Sequence, residues 1–101
     1  MNQAQLMQQM RNMQAQMAKA QEELANTVVT GVAANGAVQI EMTADHRVKS
    51  VKLAKEAVDT EDIETLEDLL VVAVNDAVQK AQAESEKRMS AVTGGLRIPG
   101  M

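Results

Sequence analysis

Two long helical periods enclose a middle stretch too short to cover them, and that mismatch limits the folds open to this chain. From residue 2 to 26 the apolar positions fall at Leu6, Met10, Met13, Met17, Ala20 and Leu24, in steps of four, three, four, three and four. That is a heptad seam on one face of a helix, with polar residues around it. Residues 61 to 92 hold a second helical pattern, through Ile63, Leu66, Leu69, Leu70, Ala73, Val74, Ala77, Val78 and Ala81. At 1.5 Å per residue the helices are about 36 and about 45 Å long. The strands between them span only about 20 Å. Both helices must therefore overhang the sheet. The first runs toward it and the last runs away, so the two can lie antiparallel.

The middle stretch reads as a meander. Residues 27–34, TVVTGVAA, turn to β-branched side chains and form a strand. Asn35-Gly36 predicts a type I′ hairpin, because both central positions of that turn need positive φ. Residues 37–43, AVQIEMT, alternate: Val38, Ile40 and Met42 share one side, Gln39, Glu41 and Thr43 the other. After a second turn, ADHR, residues 48–53 (VKSVKL) give a third strand with Val51 and Leu53 inward and Ser50 and Lys52 outward. Gly31 leaves room for a bulge or a longer loop in the first strand. Asp59 or Thr60 is placed to cap the last helix. Glu22 and Glu23 oppose the dipole at the end of the first helix, so tertiary contact rather than capping is expected to fix that end. Gly94-Gly95 closes the last helix. The predicted fold is α+β in two layers: a long N-terminal helix, a three-stranded antiparallel sheet and a long C-terminal helix. One domain covers residues 1–95, and 96–101 form a flexible tail.

The core must be built without aromatic residues, since the chain has none. Aromatics supply the largest buried areas. Their absence suggests that further burial comes from a partner subunit. The run LLVVAV, residues 69–74, makes its helix apolar on nearly every side and so needs cover on two sides. A homodimer meets that need. Met10, Met13 and Met17, with Leu69, Leu70 and Val74, are the expected packing and dimer residues. Methionine suits a seam that must fit an irregular neighbour, and a methionine metal site is the weaker reading.

Catalysis finds little to work with. The chain has no cysteine, so thiolate and Cys-based metal chemistry are excluded. Its one histidine, His46, sits in a turn between Asp45 and Arg47 and reads as a solvent-exposed turn residue. No glycine-rich loop precedes a helix. The acidic run DTEDIETLEDLL lacks the spacing and central glycine of a calcium loop. No catalytic residue, metal, cofactor or small-molecule substrate is expected. The longest apolar run is far below a membrane span, and residues 2–20 carry only Arg11 and Lys19 as cations, too few for a membrane-surface helix. The chain reads as cytoplasmic.

The net charge of −4 argues against nucleic acid, but the charges are segregated. Residues 47–55 hold four cations and no acid, while residues 56–68 hold seven acids and no cation. Antiparallel helices would bring Arg11 to Lys87 and Arg88, joined by Lys19 and Lys80 along the arms. Lys49, Lys52 and Lys55 on the third strand are expected to pair with acids such as Glu41. Without aromatic stacking platforms, any nucleic acid bound should be duplex, held through its phosphates. The rival reading is a protein-interaction module whose Met-rich arms clasp a partner helix.

The order of these segments resembles the YbaB/EbfC family of bacterial nucleoid-associated proteins. The likeness rests on the Met/Gln-rich first helix, Val29-Thr30-Gly31 opening the hairpin, the acidic LEDLLVVAVNDAVQKA with Asn75-Asp76-Ala77, and Thr93 to Gly95. The resemblance implies a dimer whose helices protrude like tweezers, and nucleoid-associated binding of double-stranded DNA along the arms. It implies roles in nucleoid organisation, gene regulation or DNA repair, with recombination or repair proteins as further partners. It carries over no catalytic residue. Arg11, Lys87 and Arg88 would take the DNA-contacting role.

Overall fold

The computed structural model describes residues 2–94. Helix α1 (Gln3–Ala25) leads into strands β1 (Val28–Ala33), β2 (Val38–Thr43) and β3 (Val48–Leu53), and helix α2 (Ile63–Gly94) follows. The strands form one antiparallel sheet in the order β1-β2-β3. The helix–meander–helix order is the predicted one. The expected tail, 96–101, lies outside the described residues.

Side-chain caps set the helix ends. The Gln5 amide donates to Asn2 Oδ1 at 2.8 Å and opens α1. At its far end Asn26 Nδ2 donates to the Glu22 carbonyl at 3.0 Å, and Thr27 Oγ1 to the Glu23 carbonyl at 2.7 Å. These bonds engage the last carbonyls of the helix, so capping acts at this end beside the expected tertiary contact, which Arg88 of α2 supplies through its ion pair with Glu23. Asp62, rather than Asp59 or Thr60, caps α2: its carboxylate accepts from the Thr65 amide at 3.3 Å and the Thr65 hydroxyl at 2.6 Å. Asp59 is engaged one turn earlier, accepting from the Glu61 amide at 2.9 Å, and the helix begins at Ile63 instead of 61.

The Asn35-Gly36 hairpin forms. Asn35 (φ 57°) and Gly36 (φ 91°) are both left-handed, and the Ala37 amide donates to the Ala34 carbonyl at 3.2 Å. Ala33 therefore pairs with Val38 and Gly31 with Ile40. Gly31 makes no bulge. A Cβ there would overlap the Ala73 carbonyl oxygen and the Ala77 amide nitrogen, and reach within 2.6 Å of the Ala77 side chain. The glycine lets the backbone of α2 lie directly on β1. The irregularity in the sheet falls instead in β3, where Glu41 faces Ser50 but Met42 faces Val48, leaving Lys49 as the extra residue.

The core lies where α2 crosses β1 and β2. Ala73, Ala77 and Ala81 stack on Ala33, Val38, Ile40 and Met42. Six of the ten buried apolar residues are alanines, so this core is thin and close-packed. It also stops at β2. Val38, Ile40 and Met42 are at most 3% exposed, yet their β3 partners Leu53, Val51 and Val48 are 42, 51 and 55% exposed. Directly opposed residues share a face of the sheet. Val51 and Leu53 thus point to the expected side, but α2 does not cover them.

Candidate nucleic-acid interface

The two helices meet near the sheet, not at their tips. Arg88 of α2 forms an ion pair with Glu23 of α1. Beyond it, Ala91 and Val92 share a groove with Gln16, Lys19 and Ala20. α2 runs on along α1 in the opposite direction, as far as its described end at Gly94. Arg11 lies twelve residues before Glu23, about 18 Å further along the axis. It does not join Lys87 and Arg88 within the protomer. The reason is that α2 spends the stretch through Ala81 lying on the sheet, so only its last turns are free to run beside α1.

The same offset leaves the methionine seam open. Ala20 and Leu24 are buried; Leu6, Met10, Met13 and Met17 are exposed. Within the protomer Met10, Met13 and Met17 stand outside the core cluster. Leu69, Leu70 and Val74 do pack against the core, each half-buried. Val71 and Val72, in the middle of the apolar run, stay exposed, so α2 is covered on one side in the protomer, not on two.

The cations sort by their partners. Lys80 Nζ lies 3.0 Å from Asp76 and donates to the Thr30 carbonyl at 2.8 Å. Arg88 is held by Glu23. Of the three lysines expected to pair beside the third strand only Lys52 does so, 3.5 Å from Glu41. The Ser50 hydroxyl, donating to Glu41 at 2.6 Å, and then the Lys52 ammonium hold the Glu41 carboxyl below the usual carboxylate range. The Val32 amide and Lys80 do the same for Asp76. Among the described residues, no ion pair involves Arg11, Lys19 or Lys87 on the helices, nor Arg47, Lys49 or Lys55 beside the sheet. The first acid in the chain is Glu22. The free-standing part of α1 therefore carries cations alone, at the opposite pole from the acids of residues 56–68. The Arg88 pair had no local signal in the sequence, since its partner comes from α1; the Asp76–Lys80 pair is an i,i+4 pair within α2, and only the Lys80 bond to β1 is non-local.

His46 is exposed at φ 70°, in a turn where its amide donates to the Thr43 carbonyl at 2.9 Å. Among the described residues no group of three or more His, Asp or Glu side chains could hold a metal ion, and no helix is long and apolar enough to cross a membrane.

The thin α/β layer thus carries a projecting helix that, among the described residues, has cations outside any ion pair and no acid before Glu22. The chain belongs to the YbaB/EbfC DNA-binding family, whose model matches residues 1–96. It is 52% identical over 97 residues to a nucleoid-associated protein of Chloroflexus aurantiacus, covering 96% of this chain and 97% of that one. It is 48% identical over 100 residues to a nucleoid-associated protein of Roseiflexus sp., covering 99% of each. The crystal structure of an uncharacterized protein from Helicobacter pylori has the same fold, with a TM-score of 0.76 at 21% identity over 96% of this chain and 99% of that one. Membership of a DNA-binding family agrees with the expectation that the chain is not an enzyme.

Proposed function

We propose that this protein binds double-stranded DNA in the nucleoid as a homodimer, with phosphates held by cations on its projecting helices. The match to a DNA-binding family over residues 1–96 carries the reading. Charge placement favours the arms. Arg11, Lys19 and Lys87 are free of ion pairs among the described residues, and α1 has no acid before Glu22. Lys80 and Arg88, held by Asp76 and Glu23, are left as secondary contacts. The bare side of β3 favours the homodimer. Val48, Val51 and Leu53 continue the core face with no cover, beside the half-buried Leu70, Val74 and Val78 and the exposed Val71. Burying the exposed part of each such side chain contributes about 1 kcal/mol. Cytoplasmic location and roles in nucleoid organisation, gene regulation or repair accord with the family.

Reversing Arg11, Lys19 and Lys87 to Glu together is expected to weaken duplex binding by about a hundredfold or more at low salt. Helical content and assembly mass should stay unchanged. Unaltered binding by a folded triple variant would remove the arms from the interface and turn attention to Arg47, Lys49 and Lys55.

A second reading has its own support. Leu6, Met7, Met10, Met13 and Met17 form an exposed, adaptable apolar stripe, suited to clasping a partner helix. Such a contact would be insensitive to salt, and changing these residues to Ser would abolish it while sparing DNA binding.

A further inference from the structure

β1 is an edge of the sheet, yet side chains of α2 have taken up its outward backbone groups. The Val32 amide donates to Asp76 Oδ2 at 2.9 Å. Lys80 Nζ donates to the Thr30 carbonyl oxygen at 2.8 Å. The two side chains, one helical turn apart, meet each other at 3.0 Å. The Thr30 carbonyl and the Val32 amide flank Gly31 on the outer side, and they are the groups that an added strand would engage. Asp76 supplies the acceptor and Lys80 the donor. Together they stand in for one carbonyl and one amide that a fourth strand would present to this edge.

The arrangement follows from Gly31. Only without a side chain there can Ala73 and Ala77 rest on the β1 backbone. That contact brings the flank of α2 bearing residues 76 and 80 to the rim of the sheet. The Val-Thr-Gly of β1 and the Asn-Asp-Ala of α2 are thus two halves of one local structure.

We propose that Asp76 and Lys80 form a latch that closes β1 to strand addition, and that the unlatched edge takes β1 of a second copy of this chain. The strand VVTGVA is uncharged, rich in β-branched residues and free of proline, the composition that pairs with itself when its edge is open. The other edge is guarded differently, since β3 carries a bulge at Lys49 and a second lysine at Lys52. A contact through β1 is separate from the bare apolar side of β3.

The test is sedimentation velocity on an Asp76→Ala/Lys80→Ala variant across a hundredfold range of concentration, with circular dichroism alongside. The latch account expects species at least twice the parental mass as concentration rises, with helical signal retained. Adding Val32→Pro removes the outward amide at a position where an edge strand tolerates proline, and should restore the parental mass. A folded double variant that keeps the parental mass throughout overturns the proposal. Hydrogen exchange on the unaltered protein gives a reading that no folding defect can obscure. The Val32 amide should exchange at least tenfold more slowly than the outward amide of Thr30, and equal rates would also overturn the latch.

Discussion

At the scale of single residues, Gly31 matters most. Its neighbours Ala73 and Ala77 come from the far end of the chain, and their backbone occupies the space a Cβ would need. Overpacking of this kind destabilises by about 1–3 kcal/mol, and the atoms in the way are mostly backbone, which cannot swing aside. Gly31→Ala is therefore expected to destabilise by about 3 kcal/mol, read as a lower denaturant midpoint. A loss below about 0.5 kcal/mol would mean that helix and strand do not touch as described. The glycine was visible in the sequence, but its purpose was not. Read locally, a glycine in a strand suggests a bulge; its real constraint is a contact across the fold. Asn35-Gly36 was legible because a type I′ turn imposes its demand on the two residues themselves.

At the scale of elements, two carboxylates tie neighbours together. Glu41 on β2 takes the Ser50 hydroxyl and the Lys52 ammonium of β3, and Asp76 on α2 takes the Val32 amide of β1. Both carboxyls titrate below their usual range in the folded chain. Their contribution is therefore present above the unfolded pKa, near pH 4, and is lost as pH falls through the lower folded values. Glu41→Gln should flatten the acid limb of the stability profile and leave the protein's pH dependence above pH 6 unchanged. An acid limb identical to that of the parent would show that Ser50 and Lys52 do not favour the charged form. Strand alternation in β2 was plain from the sequence, because it is a property of one element. The overlap of α1 and α2 was not. It depends on how much of α2 the sheet occupies, and that length is set by small side chains on both surfaces.

At the scale of the whole molecule, the core face of the sheet runs out from under its helix, and the proposed dimer covers it. Val51 lies on that bare face, opposite the buried Ile40. Val51→Asp would place a charge inside a dimer interface but leave it solvated in a lone protomer. Sedimentation should then show a folded species of about 11 kDa, the mass of one chain. Persistence of a larger species would place the interface elsewhere. Composition without aromatics pointed to a partner from the outset, whereas the side of the sheet left open became visible only in three dimensions.

In the proposed dimer, unpaired cations on the helices hold duplex phosphates. Three such residues per protomer, Arg11, Lys19 and Lys87, provide six contacts, which set the slope of log K against log salt at about −5. Fluorescence anisotropy of a labelled duplex of about thirty base pairs, titrated at 50 and at 200 mM salt, measures that slope directly. Affinity is expected to fall about a thousandfold between the two conditions. Binding that is absent at 50 mM, or that changes little by 200 mM, would contradict it.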